Sequence, residues 1–342
     1  MSPLDMQQTE APAPGGFSTL MQKQHEKQSE NHVLVKLIEK IASEDPQRPF
    51  LSIPSSDNAQ GGWKPVTFQQ FNTAIDYLAH SLSQSITRTP DGEEFPTIAY
   101  IGPSDVRYSI ILFACIKAGF KALFISPRNT PAVQLSLFED TKCNVLYCTE
   151  SFEAIMKPCL EQRKMQLCII DSVEHFLNVS SSPFPYEKSI DQARWDPLVV
   201  LHTSGSTGIP KPIVARQGMF YTLENMLRMG SLNGCPFHLD YWGGEGTKIL
   251  LSMPMFHAAG VYATIAGIFT KTTTVMSFPN KPLGVDSVLE SLEGSEAQGV
   301  VLPPSIVEGL AATEKGVEAL LKLQFLKFAG GKLYRCKGWF DD

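Results

Sequence analysis

The stretch LHTSGSTGIPKPI, residues 201–213, overlaps the apolar run LVVL at 198–201 and closes on Pro210, Lys211 and Pro212. Its reading decides the fold. A short apolar run that gives way at once to Thr, Ser and Gly at every position from 203 to 208 predicts a buried strand ending in a loop. In such a loop, backbone N–H groups and the hydroxyls of Thr203, Ser204, Ser206 and Thr207 converge on an anion. Gly205 and Gly208 permit close backbone approach, and Lys211 adds a mobile point charge that suits the outer phosphates of a nucleotide. Two other loops are excluded by spacing. A Walker A loop carries its lysine directly after glycine, whereas Lys211 lies between two prolines. A nucleophile elbow needs Gly two residues before its serine, and the residue two before Ser206 is Ser204. The plain alternative is a turn of small residues after a strand, and the ordered string ending in Pro-Lys favours the phosphate reading over it.

Outward from this loop, short apolar runs alternate with helical patterns. Strands are expected at 97–101, 122–125, 144–148, 167–170, 198–201, 249–252, 273–277 and 299–302, and helices at 104–117, 258–269, 285–292 and 305–312. Upstream, HVLVKLIEKIASEDP and PVTFQQFNTAIDYLAHSLSQ each carry apolar residues at helical spacing. Continuous apolar strands between helices imply a buried, largely parallel sheet clad by helices, hence an α/β protein. The polar, Pro-rich segment NVSSSPFPYEKSIDQARWDP before the loop reads as a linker or surface loop. Residues 1–30, rich in Gln, Glu, Pro and Ser, read as a disordered arm.

Composition narrows the partner. The chain has 342 residues, long enough for two domains or one large lobed one, and 29 basic against 35 acidic residues give a net charge of −6. No basic stripe alternates with aromatics, so a small molecule is favoured over nucleic acid. The 7 cysteines are scattered without a CxxC pair, which indicates neither a metal site nor a disulfide framework and fits a cytoplasmic protein. The N-terminus lacks the basic-then-apolar order of a secretory signal, so the mature chain is expected to start there. Residues 249–270 contain no Asp, Glu, Lys or Arg, yet Ser252, Pro254 and His257 divide the run into strand, turn and helix, against a membrane span.

TSGSTGIPK (203–211) resembles the phosphate loop of the adenylate-forming enzymes, which include acyl-CoA ligases, luciferases and the adenylation domains of nonribosomal peptide synthetases. VTFQQF (66–71), CIKAGFKALFISPRN (115–129), MPMFHAAG (253–260) and FAGG (328–331) resemble further signatures of that family, in the same order. The wording is most similar to adenylation domains of fungal peptide-synthetase-like reductases of the aminoadipate-reductase kind. The resemblance covers about residues 33–331 and implies the N-terminal large domain of an adenylate-forming enzyme, with mostly parallel sheets clad by helices. It divides the chain into the arm 1–30, an adenylation domain at 31–331 and a divergent tail at 332–342.

The resemblance also implies a reaction. A carboxylate attacks the α-phosphate of ATP, releasing pyrophosphate and leaving an acyl-adenylate for transfer to a carrier-protein thiol. Thr203, Ser204, Gly205, Ser206, Thr207 and Gly208 would hold phosphates, and Lys211 and His257 would be catalytic. Phe256, Ala329, Gly330 and Gly331 would border the acyl and adenine pocket, and VLPPSIVEGL resembles a pocket wall, although Pro-Pro equally starts a helix. ATP and Mg2+ are the implied cofactors, with phosphopantetheine only on a partner carrier domain; no nucleic acid or membrane partner is implied. The tail KLYRCKGWFDD departs from the family, which would continue to an adenine-contacting motif with a magnesium-binding Glu, a ribose-binding Asp and a catalytic Lys. Three expectations stand: an adenylating enzyme impaired by truncation; a catalytically inactive nucleotide-binding fragment or truncated gene product; or a free-standing acyl-CoA ligase fragment, which differs only in the thiol acceptor.

Overall fold

A computed structural model describes residues 32–88, 92–203, 210–229 and 242–333. The strands, in chain order, are β1 (Pro49–Pro54), β2 (Trp63–Thr67), β3 (Thr97–Ile101), β4 (Lys121–Phe124), β5 (Val145–Cys148), β6 (Gln166–Ile169), β7 (Pro197–His202), β8 (Pro212–Arg216), β9 (Lys248–Leu251), β10 (Thr273–Met276), β11 (Gly299–Leu302) and β12 (Phe325–Phe328). They form two six-stranded sheets, ordered β12-β11-β9-β10-β1-β2 and β6-β5-β3-β4-β7-β8. All pairings are parallel except β1–β2 and β7–β8, which place one antiparallel strand at an edge of each sheet. The α/β architecture with mostly parallel sheets is therefore present, in two sheets where strand periodicity alone had suggested one.

The helix Arg107–Ala118 explains how two sheets share one core. Its sequence RYSIILFACIKA is apolar on nearly every side, and each residue from Tyr108 to Ala118 is buried. A helix without a polar face must be enclosed. The main core joins β1 residues Phe50, Leu51 and Ile53 and Met276 of β10 to Ile98 and Tyr100 of β3 and Phe124 of β4, through this helix and the neighbouring helix Phe68–Ser85. Phe50 and Phe71 approach at 4.5 Å between centroids, and Phe71 meets Phe113 edge-on at 5.8 Å. Within this core Lys117 Nζ bonds Asp76 Oδ1 at 2.5 Å and Glu39 Oε1 at 2.5 Å, tying the two central helices to the helix Leu34–Glu44.

Strands 97–101 and 299–302 fall where the sequence places them, and six others shift by one residue at one or both ends. β1, β2, β8 and β12 were not expected. The first three begin with or contain proline, and β2 and β8 are largely exposed edge strands, so neither alternation nor a long apolar run marks them; β12 is a four-residue edge strand, FLKF, with none of its residues fully buried. The helices Pro131–Asp140 and Glu150–Gln162 were also not expected; the second carries Pro158 inside it. The segment read as a linker contains the helix Ile190–Ala193, with Phe184 and Tyr186 packed against the main core. The uncharged run 249–270 resolves into β9, a turn and the helix Ala258–Thr270, and no helix among the described residues is long and apolar enough to cross a membrane. The arm 1–30 and tail residues 334–342 lie outside the described residues.

Candidate functional site

The carboxyl ends of parallel strands are where open α/β sheets place ligands. Here β4 leads into residues 126–129, β7 into Thr203, β9 into the turn 252–257, and β12 into Ala329 and Gly330. Ser204, Gly205, Ser206, Thr207 and Gly208 lie outside the described residues, so the frame of the loop is what the structure presents. That frame is the β7–β8 hairpin, with His202 paired to Pro212. The Thr203 amide donates to the Lys211 carbonyl at 3.3 Å, and both side chains are exposed. A backbone hydrogen bond thus joins Thr203 to Lys211 at the end of the hairpin.

A turn brings two more groups to this place. The Asn129 amide donates to the Ser126 carbonyl at 3.1 Å and the Arg128 amide to Ser126 Oγ at 3.3 Å. His202 reaches the same turn: its Nε2 accepts from the Ser126 N–H at 3.2 Å and lies 3.3 Å from Asn129 Nδ2. A ring nitrogen that accepts from a backbone amide carries no proton, so His202 is neutral with its proton on Nδ1. Burial, and then the neighbouring His257, hold its pKa below the ordinary histidine value.

His257 caps the helix Ala258–Thr270 in extended conformation without a side-chain capping bond, which leaves its imidazole available to the site. Loss of water, and then the charge of Arg128, lower its pKa as well. The cap is held tightly: the His257 amide donates to the Pro254 carbonyl at 3.0 Å, and a Cβ on Gly260 would stand 2.3 Å from that same oxygen. Only glycine at 260 lets the turn fold against the first turn of the helix. Arg128, His202 and His257 therefore cluster at the strand ends, Lys211 stands at the return of the neighbouring hairpin, and among the described residues none of the four is bonded to a carboxylate.

Beside His257 opens a cavity of about 710 Å³ between the helix Ala258–Thr270 and the β11–β12 edge. Ala258, Ala259 and Ala263 keep one wall shallow, Tyr262 and Trp242 line it, and Phe325 to Ala329 form the far side. Its charged lining residue is Lys327, whose Nζ lies 4.1 Å from the Trp242 ring centre and 5.7 Å from that of Phe325. Burial lowers the Lys327 pKa to about 8. Ala329 is on the cavity wall. Phe256 is buried beside Tyr108, 6.4 Å between ring centres, and its ring lies tilted against that of His257 at 4.7 Å; it is not among the residues lining the cavity. Gly330 turns with φ +102°, a conformation that favours glycine, and Gly331 passes near Pro304, which starts the helix Pro304–Ala311. The Pro-Pro pair thus begins a helix and also stands near the glycine turn.

Arg128 and His202 carry no role in the sequence reading. Arg128 lies within the quoted ISPRN, where one arginine in a turn has no period to mark it. His202 leaves one signal, a polar residue closing an apolar strand directly before the loop. As for metals, no group of three His, Cys, Asp or Glu able to hold one occurs among the described residues. Five cysteines, Cys115, Cys143, Cys148, Cys159 and Cys168, are free thiols.

Known proteins resemble the chain in sequence and in fold. The chain is 39% identical over 303 residues to a carboxylic acid reductase of Neurospora crassa, covering 88% of this chain and 29% of that protein. It is 30% identical over 305 residues to an isocyanide synthase-NRPS hybrid of Aspergillus fumigatus, covering 87% of this chain and 20% of that one. The chain therefore spans less than a third of either relative. Its fold matches the inhibitor-bound N-terminal domain of FACL13 from Mycobacterium tuberculosis with a TM-score of 0.69 at 16% identity, over 87% of this chain and 70% of that one. The family model described as "AMP-binding enzyme" matches residues 38–335, which takes in both sheets, the hairpin and the cavity, and so this chain belongs to the AMP-binding enzyme family.

Proposed function

We propose that the chain activates a carboxylic acid with ATP, forming an acyl-adenylate. The observation that carries this reading is the juxtaposition of Arg128 and His257 with an uncharged alanine and aromatic wall that begins one residue after His257. A carboxylate oxygen forms a bond to the α-phosphorus while the bond from that phosphorus to the bridging oxygen of the β-phosphate breaks, and pyrophosphate leaves with the electron pair. Two anions must meet, so the protein's work is alignment and charge neutralisation. Arg128 and Lys211 supply fixed positive charge without competing carboxylates. His257, neutral at pH 7, donates a hydrogen bond to the acyl carboxylate or a phosphate oxygen. Thr203 and the segment 204–208 supply hydroxyl and backbone donors to the outer phosphates, as the sequence of that segment suggests.

The cavity favours an acid with an apolar body, held against Tyr262 and Phe325. Transfer of the acyl group to the phosphopantetheine thiol of a carrier protein is the step we assign to follow, consistent with the peptide-synthetase relationship. Carboxylate-dependent exchange of labelled pyrophosphate into ATP by the purified chain tests the proposal: exchange above a carboxylate-free control supports it, and none with any of a panel of alkyl and aryl acids sinks it.

A size-changing substitution tests the cavity. Ala259→Trp fills the space beside Tyr262 with an indole and is expected to raise the KM for the carboxylate about 10–200-fold, the effect of a misfit of a few methylenes in an apolar pocket. The ATP KM should stay within about threefold. A parallel rise in both constants would place the acyl group elsewhere.

A further inference from the structure

The cavity beside His257 has a direction. The helix Ala258–Thr270 joins parallel β9 to β10, so it runs back from the strand ends, from Ala258 and Ala259 to Tyr262 and Ala263. On the far side β12 runs toward those ends through Phe325 and Lys327 to Ala329, and strand rise places Lys327 about 6–7 Å deeper than Ala329. Three observations turn the Lys327 side chain to the cavity. It pairs with Val301, itself a lining residue. Phe325, two residues earlier and so on the same face, lies against Gly299, where a Cβ would stand 2.2 Å from its ring. Leu326, between them, packs with Val300 and Leu302 on the other face. The ammonium rests 4.1 Å from the Trp242 ring centre. The indole N–H of Trp242 is buried without an acceptor among the described residues, and no Asp or Glu occurs among the described lining residues.

We propose that Lys327 selects the acid: the cavity takes a carboxylic acid whose body is apolar and whose far end carries a hydrogen-bond acceptor, received by the Lys327 ammonium. The inference deepens the proposed function and rests on it, because only an acid activated beside His257 and Arg128 points its other end down the cavity toward β12. An ammonium has three N–H donors, so Lys327 serves a ligand alongside its other contacts. Burial lowers its pKa to about 8, which leaves it charged at neutral pH. A methyl group placed against it strips water from the charge and returns no bond, whereas a carboxylate, carbonyl or hydroxyl oxygen replaces the lost water. The same lysine therefore attracts one class of acid and repels the other. One hydrogen bond to a charged donor corresponds to about 10–100-fold in selectivity.

The test uses the full chain and acids that differ only at the far end. Straight-chain monocarboxylic acids are compared with the ω-hydroxy and dicarboxylic acids of the same length, and para-methylbenzoic acid with para-hydroxy- and para-carboxybenzoic acid. In pyrophosphate exchange the best acceptor-bearing acid should exceed its methyl counterpart in kcat/KM by about 10–100-fold, mainly through KM. Preference for the carboxylate identifies an anionic tail, and preference for the hydroxyl a neutral one. Lys327→Met should reverse the order, so that the methyl acid becomes the better substrate. Lys327→Gln, which keeps a donor without the charge, should lose the carboxylate preference and retain part of the hydroxyl preference, and it replaces the methionine variant if that one does not fold. An unchanged order in a folded variant, or a wild type that prefers methyl acids throughout, overturns the proposal. Calorimetric Kd values for the same acids separate it from the proposed function. Acid binding with the expected order but no exchange refutes adenylation and supports the role of Lys327, and neither binding nor exchange sinks both.

Discussion

Lys211→Ala is expected to slow carboxylate-dependent pyrophosphate exchange by about 10²–10³-fold, with little change in folding. The magnitude is that of removing one preorganised charged donor from a site where charge develops in the transition state. The side chain is exposed at the start of β8 and bonds no carboxylate among the described residues, so its loss opens no cavity and orphans no partner. Thermal unfolding should therefore stay within about 0.5 kcal/mol of wild type. Because lysine acts as a point charge, Lys211→Arg should recover part of the rate, short of wild type, because a planar fork does not reproduce the reach of an ammonium. The rate should fall mainly through kcat if the lysine acts on the leaving phosphates as they gain charge. Exchange within threefold of wild type in the alanine variant would remove Lys211 from the chemistry and leave Arg128 as the principal fixed charge.

The second large effect concerns stability. Asp76→Ala should destabilise the fold by about 3–5 kcal/mol, the effect of stripping one partner from a buried ion pair. Asp76 is 3% exposed and Lys117 5%, so water does not replace the missing carboxylate. Asp76 also accepts from the Phe184 amide at 3.1 Å and from Asn72 Nδ2 at 3.1 Å, and both donors lose their acceptor with it. Glu39 remains near Lys117, but it is a third exposed and less able to hold a buried ammonium. Denaturant unfolding measures the loss. Replacing both partners with apolar residues, Asp76→Leu with Lys117→Met, should cost less than Asp76→Ala alone, because no uncompensated charge is left inside. A loss under 1 kcal/mol for Asp76→Ala would mean that water or a rearranged Glu39 reaches Lys117.

Much of the architecture was legible because parallel strands leave an unambiguous mark. β3, β5 and β11 are buried at every position and rich in Ile, Val, Leu and Tyr, as strands covered on both faces are, and β10, TTVM, is buried throughout as well. The edge strands were not legible for the opposite reason. In β8, PIVAR has two exposed apolar residues, Ile213 and Val214, and its pairing to β7 depends on a hairpin whose closing residues read as loop. The division into two sheets also escaped a one-dimensional reading: β1 lies in one sheet and β3 in the other, and only the spatial partner of each strand distinguishes them. At the candidate site, His257 and Lys211 were singled out through motifs. Arg128 and His202 were not, because their significance lies in a contact between residues 126–129 and 202, and no local spacing encodes it.

The helix Arg107–Ala118 has one more consequence. Since β1 and β10 rest on the same enclosed cylinder and aromatic cluster as β3 and β4, the two sheets share the interior between them, while each keeps a separate apolar cluster on its other face. A protein cut between them would expose Phe50, Phe71 and Phe113 on one piece or the other, and each half would lack what makes it fold. The two sheets should melt in a single cooperative transition, as one unit that cannot be divided into modules.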